Sequence, residues 1–129
     1  MLVSEFIDHV AGWRIIATPT ALDAAPWPVG SQVVRISPDD AFVIGAAEPA
    51  VPGDAHAIVT PEAGFALAVV HDLAALAERH IEWQLPAGRP ALAQGQVAGV
   101  PANLVLHADG TTQLLVASAA RHELQERLS

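Results

Sequence analysis

Apolar positions in this chain recur at two different periods. Between 32 and 70 they come in short runs bounded by turn residues: "QVVRI" (32–36), "AFVIG" (41–45), "HAIVT" (56–60) and "FALAVV" (65–70). Runs of this length rich in Val and Ile predict strands. "SPDD" (37–40) and "PEAG" (61–64) lie between them, so two hairpins are expected. From Asp72 the period changes. Leu73, Leu76, Ala77 and His80 stand three and four apart, which predicts a helix with Asp72 as its N-cap.

Residues 82–90 leave that helix as a Pro- and Gly-containing loop, and "PALAQGQVAG" (90–99) follows as a strand weakened near Gly95. "ANLVLH" and "TTQLLVAS" flank Asp109-Gly110, the strongest hairpin signal in the chain. Ser118 is expected to cap a last helix with Ala120, Leu124 and Leu128 as its apolar stripe. Upstream, a short amphipathic segment and a strand at Trp13–Ala17 precede "TPTALDAAPWPVGS" (18–31), an irregular connection with three prolines.

From Ala55 the order is thus β-β-α-β-β-β-α. It predicts an α+β architecture, an antiparallel sheet with two helices packed on one face, preceded by a β-hairpin. At 129 residues the chain is read as a single domain, with 1–31 an N-terminal segment and irregular connection and 32–129 the core.

Composition narrows the function. Six arginines, no lysine and fourteen acids give a net charge of −8, which repels phosphate backbones and anionic membranes. The absence of cysteine excludes disulfides, thiolate metal sites and cysteine nucleophiles. No apolar stretch approaches a membrane span, and the acidic N-terminus is unlike a signal peptide. A cytoplasmic protein is expected, and the Arg-only, Ala-rich composition suggests a bacterial one.

"ERHIEWQLPAGRP" (78–90) concentrates the polar chemistry. His80-Ile81-Glu82 has the H-x-E spacing of zinc nucleobase deaminases, but the P-C-x-x-C partner motif is missing. His71-Asp72 reads as a strand end and a helix cap. The six histidines form neither H-E-x-x-H nor an i,i+4 helical pair, so no metal site is expected. His56 and His107 are placed on strands that would be neighbours. No serine sits in G-x-S-x-G, and "GQVAG" lacks the lysine and setting of a phosphate loop. Trp27 and Trp83 fit two roles equally, a protein-binding patch or a cover for the edge of an Ala-rich core.

Several stretches carry a family likeness: "VVRISPDDAFVIG", "HAIVTPEAGFALAVV", "LAALAERHIEWQLPAGRPA" and "AGVPANLVLHADGTTQLLVASAARHELQERL". Together, over 32–128, they resemble the gamma subunit of heterotetrameric sarcosine oxidase. More broadly they resemble the folate-binding domain of glycine-cleavage T protein and the aminomethyltransferases. The family's Trp-Leu after the Pro-Asp turn is here Ala41-Phe42.

The resemblance implies the ferredoxin-like half of a folate-binding domain. It also implies a non-catalytic assembly module, either a homodimer or an accessory to a one-carbon or amine-oxidising enzyme whose flavin, nicotinamide and zinc sites lie on other subunits. The alternative is a small-ligand, folate-type binder or an aminomethyltransferase-like enzyme whose site a partner completes. No cofactor is expected on this chain alone; folate enters only under the alternative. His80, Glu82, Trp83, Arg89 and His107 are the candidate ligand- or partner-binding residues, and no self-sufficient catalytic set is present. The homodimer expectation rests on exposed, weakly charged strand edges along "ANLVLH" and "TTQLLVA".

Overall fold

The computed structural model describes residues 1–129. They form an α+β structure of two compact units, Val10–Ala63 and a second built from Met1–His9 with Gly64–Ser129. The division therefore falls at 63/64 and not near residue 31, and the first nine residues belong with the C-terminal half.

In the Val10–Ala63 unit, strands β1 (Gly12–Ile16), β2 (Gln32–Ser37), β3 (Asp40–Ile44) and β4 (Ile58–Glu62) form an antiparallel sheet of order β2-β3-β1-β4. Ile15, Ala41 and Val43 share one face and pack with Ala21, Leu22 and Val51. Trp13 and Trp27 lie half-buried against this cluster. Ala21 and Leu22 come from a short helix, α1 (Pro19–Asp23), within the segment expected to be irregular. Its signal is local: the Thr18 hydroxyl accepts from Ala21 N at 3.3 Å, and Pro19 opens the first turn, where no amide donor is needed.

On the opposite face Arg14 grips Asp40 with both arms, at 2.6 and 2.7 Å, and reaches Glu62 at 3.2 Å. The Asp40 hydrogen bonds, the largest influence, hold the Arg14 guanidinium above its ordinary pKa. Asp54 accepts from His56 N at 2.9 Å and Thr18 N at 3.0 Å, fastening the start of α1 to the loop before β4. Those two amides hold its carboxyl below the usual range.

The second unit carries strands β5 (Phe65–Val69), β6 (Ala91–Val97), β7 (Val100–Leu106) and β8 (Thr112–Ala117) in the order β5-β8-β7-β6. Helices α2 (Leu73–His80) and α3 (Ser118–Leu128) supply Leu76, Leu124 and Leu128 to the core that Ala66, Ala93, Leu104 and Leu114 form on the sheet. The Asp72 side chain caps α2 by accepting from Ala75 N at 3.0 Å. The N-terminal segment adds isolated bridges Val3↔Val70 and Ile7↔Leu67 along β5.

Four expectations need correction. β4 and β5 do not pair: β4 lies against β1 and β5 against β8, because the chain passes from one unit into the other at Ala63-Gly64 and the short link joins two sheets instead of closing a hairpin. Ser118 is not the cap of α3. It is the first helical residue, Ala117 is the N-cap, and the Ser118 hydroxyl accepts from His9 N at 3.2 Å. β7 and β8 are interior strands with a neighbour on each side, so they offer no edge for a dimer to extend. His56 precedes β4 while His107 follows β7, so the two histidines belong to different sheets.

Candidate functional site

The end of α2 turns at Ile81 and places Trp83 against the sheet. The indole Nε1–H donates to the Gln96 carbonyl at 2.9 Å. A Cβ at Gly95 would lie 2.3 Å from the indole, so the position that weakens β6 by propensity is the one that lets the ring lie on the strand. The same ring is half-buried against the helical side of the sheet, which makes it a cover for the core edge.

β6 and β7 join through Ala98 and Gly99, with φ of 51° and 79°. Two positive φ values in a two-residue loop match the twist of the strands. The Ala98 N–H donates to the His80 carbonyl at 2.9 Å, and Arg127 Nη1 donates to the Ala98 carbonyl at 2.7 Å. Arg127 also pairs with Glu123 one helical turn away. The C-terminus of α2 is thereby tied to a turn that α3 holds in place.

Between these anchors lies a cleft of about 350 Å³ lined by Arg79, His80, Glu82, Trp83, Gln96 and the Ala98-Gly99 turn. Three of the five candidate residues, His80, Glu82 and Trp83, share it. Arg89 and His107 do not. Arg89 bonds the His107 carbonyl at 3.1 Å, the Thr111 carbonyl at 2.7 Å and the Thr112 hydroxyl at 2.7 Å. It pins the loop after α2 to the β7–β8 turn. The His107 ring meets Gln113 Oε1 at 2.6 Å. In that turn the Asp109 carboxylate accepts from the Thr111 hydroxyl and amide, which hold its pKa below the usual carboxyl range.

Sequence reasoning missed Arg79, Gln96 and the Ala98-Gly99 turn as cleft residues. The Ala-Gly pair between two strand-like runs was a usable signal for the turn. Nothing in the pattern placed that turn beside the end of α2. No group of three or more His, Asp or Glu residues is positioned to hold a metal ion. No helix is long and apolar enough to cross a membrane.

No protein-family model matches the sequence, nor does any curated protein. Among solved structures, the chain superposes on one from the heterotetrameric sarcosine oxidase of Corynebacterium sp. U-96, solved in complex with pyrrole 2-carboxylate. The TM-score is 0.69 at 15% identity, over 98% of this chain and 81% of the other. The fold is that of a sarcosine oxidase subunit. At this identity the similarity to the oxidase chain is one of fold, and it runs through both compact units and not only through the two-helix sheet.

Proposed function

We propose that this chain is a non-catalytic assembly subunit of a hetero-oligomeric amine-oxidising enzyme whose chemistry is carried by other chains. The observation that carries this reading is the extent of the superposition: nearly all of this chain corresponds to most of a chain from a heterotetrameric oxidase. Its polar residues fit the role. Arg14, Arg35, Arg89, Arg121 and Arg127 are all spent on bonds that fasten strands, turns and helices of their own unit. A rigid scaffold for partner chains needs such fastening.

The test is isolation of a tagged chain from its native host under gentle conditions. We expect elution far above the 13.4 kDa of one chain, together with amine-dependent oxygen uptake that the chain alone lacks. Elution at the monomer mass, with amine oxidation in other fractions, overturns the assembly reading. Elution as a pure homodimer overturns its hetero-oligomeric part. The folate-type alternative is read on the isolated chain and on the co-isolated assembly: a reduced folate that raises the melting temperature of either supports it, and unmoved curves in both remove it.

A further inference from the structure

Five of the six arginines are bonded to carboxylates or carbonyls, and the sixth, Arg79, makes no hydrogen bond or ion pair. In a chain with fourteen acids, an unpaired guanidinium is the exception. The negative end of α2 accounts for a cation in its last turn, but not for a free fork at the wall of a cleft. Glu82 lines the same cleft and makes no ion pair with Arg79. The His80 side chain, half-buried between them in sequence, is unbonded too.

Trp83, Gln96 and the Ala98-Gly99 turn complete the lining, and Trp83 is its one aromatic residue. The Trp83 indole has its N–H committed to Gln96, and its seat on Gly95 prevents it from folding away. The frame is fixed by the Ala98–His80 and Arg127–Ala98 hydrogen bonds, so ligand entry need not order a loop. The volume of about 350 Å³ lies at the small end of ligand pockets.

We propose that this cleft binds a small planar monocarboxylate, its carboxylate held by the Arg79 fork with His80 as second donor, and its flat body against Trp83. A guanidinium presents parallel N–H groups that match a carboxylate, and an indole presents a face that matches a flat unsaturated body. Glu82 sets the limit of one negative charge, because a second carboxylate would meet it across the cleft. Binding here does not depend on the assembly reading, which rests on the superposition and not on this cleft.

The test is titration of the full chain with benzoate, followed by NMR chemical shifts of the Trp83 indole N–H, at about 20 mM salt to limit screening. Saturable binding is expected, weakened about tenfold or more in Arg79→Gln and partly restored in Arg79→Lys. Benzamide, which keeps the ring and loses the charge, should not saturate. Isophthalate should bind more weakly than benzoate to the natural chain, and Glu82→Gln should close that gap. Arg79 is exposed, so an unchanged melting curve separates lost binding from lost folding. Failure of benzoate to saturate by about 10 mM, equal binding of benzamide, or undiminished binding in Arg79→Gln overturns the proposal. A benzoate failure leaves the co-elution experiment untouched, so the two readings fall separately.

Discussion

The two sheets of this protein have the same number of strands and opposite treatment of charge. Each strand of the first sheet carries at least one charged residue: Arg14, Arg35, Asp40 and Glu62. The four strands of the second sheet carry none. The first sheet has a five-residue helix and loop side chains over one face, and its other face is held by the Arg14–Asp40–Glu62 bonds. The second buries an alternating row of Ala, Val and Leu beneath two longer helices and sends its charges to helices and turns. A sheet with enough helix to cover it can rely on area removed from water. One with little cover relies more on directional bonds between side chains.

The largest effect should come from disturbing the apolar sheet where it is tightest. Gly95→Ala forces the Trp83 indole off β6 and should cost about 2 kcal/mol in urea denaturation, the range for overpacking a filled site. In a Trp83→Ala background the same change should be nearly neutral. A full cost in both backgrounds would mean that the strand, and not the ring, resents the methyl group.

Next, the charged sheet should respond to the loss of its cation. Arg14→Met leaves Asp40 without its two-armed partner, with only 16% of that side chain exposed, and should destabilise by about 1–2 kcal/mol. Adding Asp40→Asn should recover part of that loss, because the orphaned charge is gone. Strictly additive effects of the two changes would show that the pair is ornamental and the contrast between the sheets is one of composition only.

The smallest effect is a gain. Ala98 sits at φ 51° in the β6–β7 turn, a conformation that costs an ordinary residue energy and suits asparagine. Ala98→Asn should raise the melting midpoint by an amount equivalent to about 0.5 kcal/mol, since the backbone bonds to His80 and Arg127 are kept. A loss would mean that the methyl group packs against the core more than the turn resists it.

Much of the second unit was legible because its signals are local. The cap at Asp72, the period change after it and the Asp109-Gly110 turn each act within a few residues, and the order from β5 to α3 follows from them. Pairing was less legible. Alternation in "HAIVT" and "FALAVV" says that both are strands, but not that their partners are β1 and β8, more than forty residues away in each case. Helix α1 carried its Thr-Pro start signal and was obscured by the two further prolines, Pro26 and Pro28, that follow it. At the cleft, His80, Glu82 and Trp83 were visible as neighbours in sequence. Arg89 looked equally polar and is a fastener instead, because the loop carries it to the β7–β8 turn.

The division of the chain bears on the order of its birth on the ribosome. Residues Val10–Ala63 form one continuous stretch and can pair their four strands as soon as that stretch has emerged. The other unit is discontinuous. Its Met1–His9 segment is made before its partners Leu67, Val69 and Ser118, so it must wait for them. During that wait Val3 and Phe6, both buried in the finished fold, are uncovered, and a segment made before its sheet is among the last to find its place.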